Sequence, residues 1–145
     1  MATTRRRVSA RSVGLKNGFR SGLEERFAAE LKATKVSFSF EQMKVEFTHP
    51  ERRAKYTPDF KIDTRPDGTP RDKPLIIETK GLFTLEDRKK HLLIQAQHPE
   101  LDIRFVFSNP NSRISKGSPT TYAKWCGKHG FLYAKEHIPP EWLKE

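Results

Sequence analysis

Leu23, Phe27, Ala28 and Leu31 recur at helical spacing and give one apolar face, which predicts a first helix opening at Ser21. Ser21 and Glu24 have the separation of a capping box, in which cap hydroxyl and acid satisfy backbone donors reciprocally. Strand-like runs follow at Val36 to Phe40, Lys44 to Phe47 and Tyr56 to Ile62. Residues 63–74 carry one Gly, three Pro and mixed charges and are expected to form a loop. Leu75 to Lys80 then reads as a buried strand ending at Gly81. A second helix is predicted from about Thr84 to Gln97, stopped by His98-Pro99, and a further strand from Ile103 to Phe107. After a polar loop from Asn109 to Ser118, Ser118 as N-cap and Pro119 at the first helical position predict a third helix. That helix should end near His129 against Gly130, and Phe131 to Ala134 forms the last strand. Helices interleaved with strands in this order give a mixed α/β fold built on one sheet.

Composition sharpens the picture. The chain has 145 residues, long enough for one domain with a real core, and its ten Phe, three Tyr and two Trp can fill one although only 34% of residues are hydrophobic. The formal charge of +10 favours an anionic partner, nucleic acid before an acidic membrane surface. Residues 1–20 contain Arg5, Arg6, Arg7, Arg11, Lys16 and Arg20 and no acid. So one-sided a segment with so little to bury reads as a flexible basic arm over residues 1–17, followed by a folded domain over 18–145. It is either a solubilising tail or a DNA-contacting arm, and the charge favours the second. Cys126 is the only cysteine, which excludes an internal disulfide and a Cys-based zinc site, and its neighbours Trp125 and Gly127 point to a packing role. No apolar run is long enough to span a membrane, the basic N-terminus lacks an apolar follow-on, and no nucleotide-binding glycine motif is present. The expectation is a cytoplasmic protein, in the host cell if phage-encoded, without a nucleotide cofactor.

The candidate chemistry lies in two short runs. Asp59 sits in Tyr-Thr-Pro-Asp-Phe, and Glu78 and Lys80 sit in Ile-Ile-Glu-Thr-Lys-Gly. Side chains alternate along a strand, so Glu78 and Lys80 share a face and Ile77 and Thr79 take the other. Charges at the end of an apolar strand need compensation, which a hard divalent cation gives to carboxylates. Asp59 and Glu78 would hold the cation and Lys80 would stabilise charge on a scissile phosphate. An acid two residues before a lysine is also a common surface ion pair, and the apolar run before Glu78 is what favours the catalytic reading. Glu24 is either a structural cap or a further carboxylate of the site. Arg88, Lys89 and Lys90 form either a solvated helix face or a phosphate contact close to Lys80. His91, His98 and His129 have no partners at metal-ligand spacing and read as structural or surface residues.

Pro58-Asp59 followed by Glu78-Thr79-Lys80 resembles the PD-(D/E)xK pattern of the restriction-endonuclease-like nucleases. Five blocks in order resemble the phage endonuclease I family, the Holliday-junction resolvases of T-seven-type phages. They are Phe19 to Glu24, Tyr56 to Phe60, Glu78 to Gly81, Asp87 to Leu93 and Gln97 to Ile103. Lys116 to Thr120 and Ile138 to Trp142 resemble it too, so the likeness spans about residues 18–143. The resemblance implies a restriction-endonuclease-like mixed sheet flanked by helices, in an intertwined, strand-swapped homodimer crossing over near Val45 to Pro50. It implies four-way DNA junctions as substrate, Mg²⁺ or Mn²⁺ as cofactor, and catalytic Glu24, Asp59, Glu78 and Lys80. Each site would be completed by Glu24 of the other subunit, with the Thr79 carbonyl as a further metal ligand. Phosphate contacts are expected from the six arm cations, from Arg88, Lys89 and Lys90, and from Lys116. The stretch between Asp59 and Glu78 is longer than in the family pattern, and the basic extension expected after Trp142 is lacking. Two alternatives stand beside this reading: a nuclease of the same superfamily acting on other branched, mismatched or sequence-specific DNA, and a non-catalytic basic DNA-binding protein.

Overall fold

The computed structural model describes residues 22–49 and 51–145. The six basic residues of the arm, and Ser21 of the expected capping box, lie outside the described residues. The chain divides into two compact units after Thr34.

In the first unit, α1 covers Gly22–Ala33 and buries Phe27, Ala28 and Leu31, three of the four residues of the expected apolar face. The second unit holds β1 (Phe38–Phe40), β2 (Val45–His49), β3 (Arg52–Tyr56), β4 (Phe60–Thr64), β5 (Pro70–Lys80), α2 (Leu85–Gln97), β6 (Asp102–Phe107), α3 (Tyr122–His129), β7 (Tyr133–Lys135) and α4 (Pro140–Lys144). Five strands form one sheet in the order β1-β4-β5-β6-β7, and β2 and β3 form a separate two-stranded sheet. The pairs β1–β4 and β4–β5 are antiparallel, while β5–β6 and β6–β7 are parallel. The mixed sheet flanked by helices is as expected.

β5 is the central strand, and residues 75–79 are buried one after another. Such a run needs both faces of the sheet covered. On one face the parallel connections lay α2 and α3: Ile94 packs with Ile76 and Ile103, and Tyr122, Trp125 and Cys126 pack with Phe105 and Phe107. Phe83 joins β5 to α2 and is fixed in this second cluster, its ring 4.9–5.7 Å from those of Phe105, Phe107, Tyr122 and Trp125. Cys126 is fully buried there and its thiol is pushed up to about 12 by burial, in line with the expected packing role.

Several boundaries differ from the sequence reading. The run Tyr56 to Ile62 is two strands, because Thr57-Pro58-Asp59 interrupts it. Arg52–Tyr56 is an additional strand, paired with Val45–His49 in a hairpin. Most of the expected 63–74 loop is hairpin: β4 runs to Thr64, β5 begins at Pro70, and the turn between them is closed at Gly68, whose φ of +85° suits glycine. Pro70 and Pro74 fit because β6 pairs with β5 only from Leu75 onward, leaving the first residues of β5 at an edge. The third helix is capped by Thr121 and not by Ser118. Residues 112–121 close a loop instead, with Ile114 N–H donating to Thr120 O and Tyr122 N–H to Ser112 O, so the helix begins later. Gly130, in the left-handed conformation at φ 75°, ends it as expected.

Candidate active site

The antiparallel register pairs Phe60 with Ile77. One step further along, Asp59 faces Glu78. Here the backbone ladder stops, since Pro58 has no N–H to donate. The Asp59 side chain takes over as partner of β5: Oδ2 accepts from both the Thr79 N–H and the Thr79 hydroxyl, each at 2.9 Å. Its backbone carbonyl accepts from the N–H of Glu41 at 3.2 Å. Asp59 is thereby fixed between β1 and β5, with Oδ1 outside the two Thr79 bonds.

Glu78 is only 4% exposed. Its position in β5 pairs with Phe105, so it lies on the face covered by α2 and α3. Its Oε1 lies 3.5 Å from Lys80 Nζ, and its Oε2 accepts a hydrogen bond from the Tyr56 hydroxyl. Burial, and then the Asp59 carboxylate, raise the Glu78 pKa to about 7, against the pull of Lys80 and Tyr56. Burial also raises the Asp59 pKa, partly offset by the Thr79 donors and Lys80. Lys80 is pulled down by burial but pushed up overall by Glu78, Asp87 and Asp59, so it stays a cation. Its ammonium lies 3.4 Å from Asp87, the N3 residue of the α2 capping box with Thr84. Asp87 titrates below its usual range: burial opposes this, but Lys80 and the Thr84 cap outweigh it.

The structure thus brings together Asp59, Glu78, Thr79 and Lys80 at the C-terminal end of β5, where parallel strands of α/β sheets commonly present ligand sites. Glu24 is half-buried in the first turn of α1, in the other compact unit. Sequence reasoning did not single out Tyr56, Asp87 or Glu41. Glu41 directly follows β1 at φ +50°, and its carboxylate lies within 4.8 Å of that of Asp59. Its one sequence signal is an acid at the end of the alternating Phe38-Ser39-Phe40. Asp59 and Glu41 bring carboxylate oxygens within 4.8 Å of one another, donors of the kind that hold hard divalent cations, and Glu78 is a further carboxylate close enough to feel the Asp59 charge.

Among the candidate phosphate contacts, Lys89 and Lys116 are exposed and Lys90 is half-exposed, its ammonium 5.4 Å from the Tyr56 ring centre. The expectation of a phosphate contact does not hold for Arg88. It is 6% exposed, and its guanidinium donates to the carbonyls of Phe83 at 2.6 Å and Ile114 at 3.3 Å, tying the start of α2 to the loop before α3. His91 is buried among Tyr56, Phe105 and Phe131, and burial keeps it neutral, consistent with a structural histidine. A cleft of about 750 Å³ lies along β2 and β3, but none of Asp59, Glu78 and Lys80 lines it. The carboxylates and lysine are therefore the better guide to the chemistry.

The family described as Phage endonuclease I matches residues 1–145. The chain is 45% identical over 136 residues to "Endonuclease I" of Escherichia phage T7, covering 94% of this chain and 85% of that protein. It is 48% identical over 127 residues to "Endodeoxyribonuclease 1" of Enterobacteria phage T3, covering 88% of this chain and 78% of that protein.

Proposed function

Because this chain belongs to the phage endonuclease I family, and is a phage endonuclease by that membership, we propose that it resolves four-way DNA junctions by metal-dependent phosphodiester hydrolysis. The observation that carries the reading is the convergence of Asp59, Glu78 and Lys80 at the end of β5, held by Thr79, Tyr56 and Asp87. Two acids whose proton affinity is raised by burial, that of Glu78 by Asp59 as well, fit a site for Mg²⁺ or Mn²⁺. Asp59 and Glu78 hold the cation, with Glu41 and the Thr79 carbonyl as further oxygen donors. When bound, the cation lowers the pKa of a water and stabilises charge on the scissile phosphate. Lys80, kept protonated by Glu78 and Asp87, sits beside that phosphate and stabilises its developing negative charge. Thr79 fixes Asp59 so that the carboxylate does not have to reorganise during the reaction.

A junction offers two strands to cut, and a two-fold dimer presents two equivalent sites to them. In the proposed assembly the chains cross near residues 45–50, and each site is completed by the partner subunit's Glu24. The β2–β3 hairpin supports such an exchange because, among the described residues, it forms its own two-stranded sheet with no ladder to the main one. The arm at residues 1–17, with Lys89, Lys90 and Lys116, supplies phosphate contacts. The proposed setting is the host-cell cytoplasm; among the described residues no helix is long and apolar enough to cross a membrane.

The test is a synthetic four-way junction beside its matching linear duplex, each with Mg²⁺ and with EDTA. Symmetric nicking of the junction is expected with Mg²⁺ alone. Asp59→Asn and Lys80→Ala should abolish it while binding the junction with near-normal affinity. An uncut junction in Mg²⁺ would refute the reading in favour of a non-catalytic binder, and equal cutting of the duplex would refute junction selectivity.

A further inference from the structure

We propose that Tyr56 is a positioning residue for Glu78: its hydroxyl holds Oε2, so that Oε1 is the oxygen presented to Lys80 and to the cation. The inference rests on the metal-dependent reading above and deepens it. Tyr56 ends β3, which belongs to the two-stranded sheet and not to the sheet that carries Glu78. Its side chain nevertheless reaches β5, is 2% exposed, and donates to Glu78 Oε2, while Oε1 lies 3.5 Å from Lys80 Nζ. The two oxygens therefore have different neighbours. A glutamate's terminal torsion is broad and nearly two-fold, so the chain alone does not choose between its oxygens. A donor fixed on one of them makes that choice.

The donor is fixed by its ring. Val45, Ile76 and Ile94 pack in the same cluster, the His91 ring stands edge-on at 5.1 Å, and the Lys90 ammonium lies 5.4 Å from the ring centre. The packing positions the ring and the hydroxyl positions the carboxylate, so the two roles can be separated by removing one oxygen atom. Hydrogen-bond donors to a ligating carboxylate set its orientation and tune metal affinity, and their loss costs about 10–100-fold in affinity. In sequence Tyr56 reads as one more core aromatic next to Thr57-Pro58-Asp59.

The experiment is a Mn²⁺ titration of the full-length protein without DNA, with free Mn²⁺ read by electron paramagnetic resonance. It compares wild type, Tyr56→Phe and Ile103→Ala. Tyr56→Phe is expected to weaken Mn²⁺ binding by roughly 10-fold or more, with the KM for a junction unchanged and cleavage recovering as Mn²⁺ is raised. Ile103→Ala thins the same cluster without touching the hydroxyl, and should lower the melting temperature while leaving the Mn²⁺ isotherm in place. A Tyr56→Phe isotherm that superimposes on wild type overturns the proposal, whatever the melting temperature does. Equal weakening by Ile103→Ala overturns it as well, because packing would then be the cause. If wild type itself takes up no Mn²⁺, the metal-dependent reading fails first, and this inference with it.

Discussion

Glu78→Gln should make the metal-free protein more resistant to denaturation at alkaline pH while abolishing cleavage. Glu78 is 4% exposed and its pKa is raised from 4.5 to about 7, chiefly by burial and then by Asp59. A carboxyl that binds its proton more tightly when folded costs stability once it ionises. The cost is absent below the unfolded pKa near 4.5, grows as pH rises, and is complete above about 7. At about 1.4 kcal/mol per pKa unit, the full effect is about 3 kcal/mol. Between about pH 5 and pH 8 roughly 2–3 kcal/mol of it develops. Glutamine keeps the shape and still accepts from Tyr56 but does not titrate, so the variant lacks this slope. With a urea dependence of about 2 kcal/mol per molar, the midpoint advantage of Glu78→Gln should grow by about 1–2 M across that range. The assay is urea unfolding in EDTA at fixed protein concentration, repeated in saturating Mg²⁺. The cation binds the ionised pair and should flatten the wild-type slope while leaving the variant unchanged. Parallel pH profiles for the two proteins in EDTA would refute the argument, since Glu78 would then titrate alike in folded and unfolded chains.

Deleting residues 1–15 should weaken DNA binding and lower its dependence on salt, because Arg5, Arg6, Arg7 and Arg11 no longer release counterions; an unchanged salt slope in a binding titration would remove the arm from the interface. Arg71→Ala should lower stability by about 1–2 kcal/mol without loss of cleavage, since Arg71 donates to the carbonyls of Trp142 and Leu143 and touches none of the proposed ligands. Thermal melts and a junction assay read the two halves, and an inactive but folded variant would mean that the hairpin carries a catalytic contact. For Glu24, heterodimers of Glu24→Gln with Glu78→Gln should nick one strand if sites are shared between subunits, because one site then carries both lesions and the other none. Heterodimers that nick nothing would sink the shared site without touching the nuclease assignment.

The sheet's buried centre was easy to read because Leu75-Ile76-Ile77 and Ile103 to Phe107 are apolar on both faces, and no other element type suits such short runs between turn residues. Asp59, Glu78 and Lys80 stood out as charges attached to those runs. What escaped was structure without an apolar signal. Arg52–Tyr56 shows three exposed positions and is held by pairing with β2, which its own residues do not announce. The first residues of β5 carry Pro70, Arg71, Asp72, Lys73 and Pro74, a loop-like composition that an edge tolerates. Arg88 reads in sequence as a solvated or phosphate-contacting cation, yet with His91 and Ile94 it makes the buried face of α2. Arg88 is admitted there by two carbonyls from elsewhere in the chain, a compensation that only tertiary structure reveals. The Tyr56–Glu78 hydrogen bond is illegible for the same reason: it joins two sheets.

The site is built where regular pairing fails. Pro58 ends the β4 ladder, and the acid after it takes over as hydrogen-bond partner of Thr79, which places Asp59 opposite Glu78. Had the ladder continued, backbone would have satisfied the Thr79 N–H and the Asp59 carboxylate would have had no fixed partner on β5. The same break separates Tyr56 from β4 and frees it to end the second sheet, from which its hydroxyl donates to Glu78 Oε2 while Lys80 lies against Oε1. Glu78 is thus gripped by two groups that belong to different elements and point at different oxygens. Those two groups favour the carboxylate, whereas burial and Asp59 disfavour it, and the net cost is one that the proposed cation would relieve. The part of that cost that Asp59 adds to burial, and the Tyr56 bond that fixes the carboxylate, are therefore two consequences of one local interruption, at Thr57-Pro58-Asp59.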